Sequence, residues 1–327
     1  MSKVWPMGCK KIDTEDQLQR IIHDDNYIGQ RKIKGVRAVM HVLQDGSLKF
    51  TTRGATLDDP ETPIDITHRL KHLTRQRFKS LAGLVLDAEM WAPGMDDSEI
   101  AGKLNYRSTV EVPREIEPYF FDVINVSRLD LGDKPLAFRL KLLEKLGVLF
   151  KNEDVMTWAN FVPHVQGAED KERYLYELLE NGEEGMVFKN LGSGYIFTEK
   201  KCKKAGYWYK YKRKDTVDAV ITGATPPEQF YRDTNTGIYD LGRHTKAWAL
   251  GWFGSLNFTF TKGDKEFTGS CSGMTDEMRK KLSDGNHSVK PEYVGRVIEV
   301  EFFERNKYGN CEHPRFLRLR EEVEIEG

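Results

Sequence analysis

What this sequence lacks narrows its class before any motif is read. No apolar run approaches the roughly 20 residues that a membrane-spanning helix needs, and residues 1–11 carry no apolar segment of the signal-peptide kind. Cysteine is scarce. Cys9, Cys202, Cys271 and Cys311 are widely scattered and form no CxxC pair, which argues against a zinc site and against a disulfide framework. A reducing, intracellular setting is the simpler expectation. An excess of charge of either sign is also missing: 50 basic against 51 acidic residues leave a net charge of −1. Bulk charge therefore announces no polyanionic partner. No internal repeat or low-complexity tract is present.

What is present is a chain of 327 residues, 39% hydrophobic and 31% charged. That is long enough for one large domain and a small one, because single cores usually stop growing at about 250–300 residues. The charges are segregated. Basic residues gather at Arg31, Lys32, Lys34 and Arg37, at Arg69, Lys71, Arg75, Arg77 and Lys79, and at Lys200, Lys201, Lys203, Lys204, Lys210, Lys212, Arg213 and Lys214. Acidic residues collect elsewhere, at Asp96-Asp97 and in residues 321–326. Such a pattern makes positive grooves on a near-neutral protein, although charge runs are usually only solvated faces.

Periodicity predicts mixed elements in the first two-thirds. Residues 35–42 and 47–52, with Asp45-Gly46 between them, read as a β-hairpin. Residues 67–80 are polar and basic with apolar residues at helical spacing. Residues 83–90 (GLVLDAEM) and 119–126 (YFFDVINV) are short apolar runs of strand type. Residues 136–149 form an amphipathic helix through leucines at 136, 140, 143 and 146. Residues 172–179 form another, closed by Asn181-Gly182. From about Asp218 the stretches 219–222, 248–260, 266–270 and 296–303 are strand-like with Gly-rich turns, as in a small antiparallel barrel of OB type.

Four patches carry chemistry. In residues 30–37 (QRKIKGVR) a lysine precedes a glycine and an arginine. Neighbouring cations and desolvation favour a neutral, nucleophilic amine there, while a basic strand start explains the same residues more blandly. Glu89 in LVLDAEM and Glu184 in EEGMVFK place carboxylates at apolar strands, where they could hold Mg²⁺ against phosphates or be simple edge charge. In residues 207–212 (YWYKYK) alternation puts Lys210 and Lys212 on one face and the tyrosines on the other. Two such lysines repel unless an anion lies between them. Finally, Arg318 and Arg320 alternate in HPRFLRLR, a spacing suited to phosphate or to pairing with Glu321 and Glu322.

Order and spacing together resemble the motif set of the covalent nucleotidyltransferase superfamily: ATP-dependent DNA ligases, mRNA capping enzymes and RNA ligases. Lys32 to Arg37 is similar to the KxDGxR nucleophile motif, and Thr52-Arg53-Gly54 to the S/T-R-x-G element. LDAEM resembles LDGEL, Phe121-Asp122 the aromatic-Asp strand, EGMVFK the EGxVxK motif, and residues 208–212 the WxKxK motif. Residues 269–281 and 295–320 are similar to the OB domain of small DNA ligases. The alternatives are an RNA ligase or a GTP-using capping guanylyltransferase, which shares the motif arginine.

The resemblance implies an α+β fold. A nucleotidyltransferase (adenylation) domain of antiparallel sheets and helices would occupy residues 1–215, and a C-terminal OB-fold β-barrel residues 216–327. It implies ATP-dependent sealing of nicks bearing 3′-hydroxyl and 5′-phosphate ends, through lysyl-AMP and DNA-adenylate intermediates. Lys32 would form the phosphoramide with AMP. Gln30 would face the adenine edge, Phe121 would stack on adenine, and Arg37 and Glu89 would contact the ribose. Arg53 would meet the nick or its phosphate. Glu184, with Glu89, would hold Mg²⁺, for which Mn²⁺ is a substitute. Lys210 and Lys212 would neutralise phosphate charge, and Arg318 and Arg320 would orient pyrophosphate. ATP, Mg²⁺ and nicked duplex DNA are then the cofactors and partner. A monomer without a membrane or protein partner is expected, with a viral or phage source suggested by the short chain. Two departures stand out. Lys34 replaces the motif aspartate, and the terminal RxDK reads Arg320-Glu321-Glu322-Val323, without its lysine. The adenylylation step is the one they should affect most.

Overall fold

Two sheets packed face to face, with helices on their outer sides, frame the first part of the chain. The computed structural model describes residues 5–54, 59, 62–127, 129–152, 155–195, 204–232, 238–305 and 309–320, with backbone only at 204, 205 and 304. Lys200, Lys201, Cys202 and Lys203, and the terminal Glu321, Glu322 and Val323, lie outside the described residues. Contacts divide the chain into two compact units, Met1–Lys212 and Arg213–Gly327.

The first sheet of unit one runs Gly8–Lys11, Lys204–Lys212, Gly185–Asn190, Tyr27–Arg31 and His164–Val165 in spatial order. Its first pair is parallel and the others antiparallel. One face is covered by the helices Glu15–Ile22 and Ala168–Glu180. Leu18, Ile21 and Ile22 from the first and Leu175 and Leu178 from the second pack with Met186 and Phe188, and Tyr209 and Tyr211 join them. The period-2 alternation of YWYKYK sends its tyrosines to this helical side.

The second sheet runs Leu48–Thr52, Val36–Val42, Val85–Trp91, Glu117–Val126 and Leu129–Asp130, with Asn160–Phe161 parallel to the fourth strand. The expected hairpin is there, paired from Ala38 opposite Thr52 to Val42 opposite Leu48. The helix Leu136–Asn152 buries Leu136, Leu140 and Leu143 in the same core as Phe120 and Phe50. Between the sheets, Val39, Val85 and Ile124 from the second meet Met7 and Trp208 from the first.

Residues 67–80 depart from the helical reading. They contain only the short 3-10 turns Thr67–Arg69 and Lys79–Leu81. Ties to remote segments win over helix: Arg69 Nη2 donates to Lys103 O at 2.8 Å, His72 Nε2 lies 3.2 Å from Ile116 O, and Phe78 N donates to Gly46 O at 2.7 Å. Buried Ile66, Leu70, Leu73 and Phe78 then pin the segment down at irregular spacing.

In unit two an antiparallel sheet orders Lys265–Cys271, Ser255–Lys262, Asp215–Thr225, Val297–Phe302 and Arg315–Leu319. Its edges meet at a Ser272–Arg315 bridge, with Phe316 N donating to Ser272 O at 2.8 Å. That contact closes the sheet on itself and satisfies edges that would otherwise stay open. Ile221, Phe258, Phe260, Ile298 and Val300 fill the interior. Residues 248–254, read as strand, instead continue a short helix, Lys246–Ala249, begun where the Thr245 side chain accepts the Trp248 N–H. Among the described residues no helix is long and apolar enough to cross a membrane.

Candidate active site

Strand register assembles the site. Gly185–Asn190 lies between Tyr27–Arg31 and Lys204–Lys212, with Met186 opposite Arg31 and Gly185 opposite Lys212. Lys32 continues that pairing, its N–H donating to Gly185 O at 2.9 Å. Three segments remote in sequence thus bring Lys32, Glu184 and Lys212 together. Gly185 is required twice over: its φ is +132°, and a Cβ there would lie 2.3 Å from the Tyr211 carbonyl oxygen. Gly35 shares only the steric constraint, since a Cβ there would sit 2.2 Å from Met90 O.

The Glu184 carboxylate accepts from Lys32 Nζ through one oxygen and pairs with Lys212 Nζ through the other. Of the two lysines expected to repel, Lys212 is thus neutralised by an anion of the chain itself, which it shares with Lys32 rather than with Lys210. Lys210, one alternation away, has its ammonium pKa lowered by burial and then by the charges of Lys32 and Lys212. Lys34, which replaces the motif aspartate, also borders the cavity described below and pairs there with Asp97, its Nζ 3.8 Å from Asp97 Oδ1. Arg31 is held by Glu183, at 2.8 and 3.0 Å, and lies over the Trp91 ring.

The opposite wall comes from the second sheet, where Arg37 and Glu89 are cross-strand partners. Arg37 Nε donates to Asp87 Oδ1 at 2.6 Å, and Nη2 reaches Asp87 Oδ2 and the Met7 carbonyl. The guanidinium lies 4.6 Å from the Phe121 ring centroid. Asp87 is fully buried and takes a further hydrogen bond from the Tyr195 hydroxyl, which itself accepts the Met7 N–H at 3.0 Å. Burial lowers the Arg37 pKa, but the charge and hydrogen bonds of Asp87 more than offset it and hold the guanidinium well above its ordinary value, while burial and the same charge push Tyr195 well up. Burial raises the Glu89 pKa to about 7 against the opposing pull of Arg37 and Lys32.

Deeper in, Lys189 is 2% exposed. Its Nζ sits 4.2 Å from the Phe121 and 4.1 Å from the Trp208 ring centroid, and donates to the Phe121 carbonyl at 3.2 Å. Burial lowers its pKa to about 8, with Asp122 resisting. Gln30, 1% exposed, donates through Nε2 to Val162 O at 3.3 Å, which fixes its amide orientation and leaves Oε1 without a partner among the described residues.

One cavity of about 670 Å³ is lined by Gln30, Lys32, Arg37, Arg53, Glu89, Phe121, Glu184, Lys210 and Lys212, together with Lys189 and Trp208. That volume suits a nucleotide-sized ligand. Every site residue read from the first unit's sequence therefore borders the same space. Arg318 and Arg320 belong to unit two, where Arg318 pairs with Glu299 at 2.6 Å and Arg320 with Asp218 at 2.9 Å. Among the described residues no cluster of three or more acid, histidine or cysteine side chains forms a metal cage. Sequence reasoning passed over Asp87, Tyr195 and Lys189 as functional positions. Asp87 and Lys189 stand inside motifs already singled out, and nothing local marks Tyr195.

A family model for the ATP dependent DNA ligase domain matches residues 6–212. The chain belongs to that family. A DNA ligase of Saccharolobus islandicus is 25% identical across 98% of this chain and 56% of that protein. This ligase-family chain thus spans about half the length of the curated relatives it matches. Among solved structures, Pmar-Lig_PreS3 has a TM-score of 0.67 at 16% identity, covering 97% of this chain and 67% of that one. A structure from an analysis of Lig E DNA ligases has a TM-score of 0.61 at 17% identity, covering 97% and 99%. These likenesses show the fold: a ligase adenylation domain followed by an OB-fold domain.

Proposed function

We propose that the chain is an ATP-dependent DNA ligase that seals nicks through a lysyl-AMP intermediate. The observation that carries this reading is the Lys32–Glu184–Lys212 cluster at one side of the cavity. Glu184, already in contact with Lys32 Nζ, is the acceptor for the proton that must leave before the amine can attack. Attack on the α-phosphorus of ATP forms the N–P bond and releases pyrophosphate. Lys210 and Lys212 then face the developing phosphate charge, where fixed cations in a partly dry site act most strongly. AMP next passes to a 5′-phosphate, and a 3′-hydroxyl displaces it to close the strand.

Mg²⁺ fits as a cofactor held by one or two carboxylates plus phosphate oxygens, with Glu184 and Glu89 as the protein donors, and would supply charge neutralisation at the phosphates. Two carboxylates without a full protein cage are what such a shared site requires. Phe121 provides an aromatic wall for the base. Arg37, locked by Asp87, borders the cavity and suits contact with the ribose, and Arg53, exposed and lining the same cavity, suits the nick phosphate.

Gln30 speaks to the choice of nucleotide. Its free Oε1 is an acceptor, which matches the exocyclic amine of adenine and opposes the carbonyl of guanine. This favours ATP over the GTP of a capping enzyme. Incubation with α-labelled ATP and Mg²⁺ is expected to label the protein, and Lys32→Ala to abolish the label, whereas α-labelled GTP should give little. Label that survives Lys32→Ala would refute the nucleophile. Sealing of a nicked RNA duplex in preference to DNA would move the chain to the RNA-ligase reading.

A further inference from the structure

Arg37 belongs to a closed circuit of hydrogen bonds whose other members are remote in sequence. Its Nε donates to Asp87 Oδ1 at 2.6 Å and its Nη2 to Asp87 Oδ2. Asp87 Oδ2 also accepts the Tyr195 hydroxyl, and that hydroxyl accepts the Met7 N–H at 3.0 Å. The circuit closes where Arg37 Nη2 donates to the Met7 carbonyl at 3.1 Å. Strand register explains the reach of the ion pair. Arg37 stands opposite Glu89, and Val39 opposite Asp87, so Arg37, Glu89 and Asp87 share one face and the arginine bonds diagonally across it.

Each member of the circuit is anchored. Asp87 and Met7 are fully buried and Tyr195 is 3% exposed. The tyrosine ring stands edge-on to Trp208 at 5.9 Å, and its backbone N–H donates to the Gly132 carbonyl at 2.7 Å. Burial and the Asp87 charge keep the hydroxyl protonated, so it serves the carboxylate as a donor. A buried carboxylate is costly unless its oxygens are matched by donors, and the tyrosine completes that set on Oδ2. Arg37 borders the cavity, whereas Asp87 and Tyr195 do not. Pro6 and Gly8, on either side of Met7, also line it, so the circuit is built into the cavity wall.

Resting on the ligase reading above, we propose that Tyr195 is a positioning residue which, through Asp87 and with the Met7 peptide as second anchor, aims the Arg37 guanidinium at the ribose of ATP. It touches neither the nucleotide nor the reacting atoms. An arginine fixed at Nε and Nη2 before the ligand arrives loses little freedom on binding. A site that hydrogen-bonds a hydroxyl rejects the analogue lacking it, and it does so only while its donor is held in place. The preference for a ribose over a deoxyribose nucleotide therefore depends on Tyr195.

Tyr195→Phe removes one oxygen and keeps the ring that packs on Trp208. Adenylylation of the intact chain is followed with α-labelled ATP, 2′-deoxy-ATP and 3′-deoxy-ATP. Tyr176→Phe, exposed on the helix Ala168–Glu180, is the control and should match the wild type. Tyr195→Phe should raise the KM for ATP on the order of tenfold and change the rate at saturating ATP by less than about twofold. Its preference for ATP over at least one deoxy analogue should fall on the order of tenfold as well. In an Arg37→Lys background the same substitution should add less than about twofold. Poor folding does not mimic this pattern, because loss of folded protein lowers labelling by all three nucleotides alike.

A wild-type KM in Tyr195→Phe, an unchanged preference for ATP, or the full loss repeated in the Arg37→Lys background overturns the proposal. So does a wild type that uses the three nucleotides equally. Absence of labelling in the wild type refutes the ligase reading instead. Calorimetric binding of ATP without metal then judges Tyr195 by itself: weaker binding by Tyr195→Phe than by Tyr176→Phe supports its role, and equal binding overturns it.

Discussion

Replacing Arg139 by methionine should unfold the nucleotide-binding unit more readily than any surface change, and the structure supplies the magnitude. Arg139 and Asp122 are both fully buried. Two parallel bonds join them, Nε to Oδ1 at 2.9 Å and Nη2 to Oδ2 at 3.0 Å, and Nη1 also caps the Lys134 and Ser193 carbonyls. Without the guanidinium, the Asp122 carboxylate keeps, among the described residues, the Val123 N–H at 2.8 Å as its one hydrogen-bond donor. Breaking one side of a buried ion pair costs about 3–5 kcal/mol, a large part of a domain's ~5–15 kcal/mol. Asp122→Asn strands the arginine instead and should cost about 3 kcal/mol.

The double variant buries no isolated charge, so its cost should fall short of the sum by about 3 kcal/mol. Native-state hydrogen exchange of amides in Glu117–Val126 reads this unit within the intact chain. Costs that simply add would show that the pair is not coupled, and the account of this core would be wrong. The consequence reaches the site, because Phe121 precedes Asp122 and the Asp122 charge supports the Lys189 ammonium. Asp122→Asn should therefore also slow adenylylation near neutral pH.

Two further outcomes concern the cavity walls. Glu89 is raised from its ordinary value to about 7, so the folded state binds its proton more tightly than the unfolded state does. This contribution to stability is complete below about pH 4.5 and is lost as pH rises through 7. Glu89→Gln should flatten the stability–pH curve in that window, measured by urea midpoints, and a curve identical to the wild type's would count against the burial argument. Gly35→Ala should lower ATP labelling at least tenfold and destabilise the unit by about 1–3 kcal/mol, because the new Cβ would meet Met90 O at 2.2 Å. A fully active Gly35→Ala protein would mean that the two strands can part there without harm.

Much of this protein is legible along its chain. Alternation in YWYKYK separated the site lysines from the tyrosines that face the helices, and the Asp45-Gly46 turn set the register of the hairpin. The leucine spacing located the helix Leu136–Asn152. The motif order located Lys32, Glu89, Phe121, Glu184, Lys210 and Lys212, all of which border one cavity. These features are local, because a two- or 3.6-residue period and a fixed motif spacing survive in one dimension.

The rest depends on partners distant in sequence. Arg37 was read as a ribose ligand, yet its geometry is governed by Asp87, which Tyr195 approaches from 108 residues away. Residues 67–80 show helical spacing but are tied to the Gly46, Lys103 and Ile116 carbonyls, which only the folded unit brings near, and residues 248–254 give way to a capped turn. The sequence alone determined which residues could do the chemistry and which faces they occupy. Tertiary structure decided which of their charges are already neutralised and which remain open to a ligand, because burial and pairing arise only when remote segments close on one another.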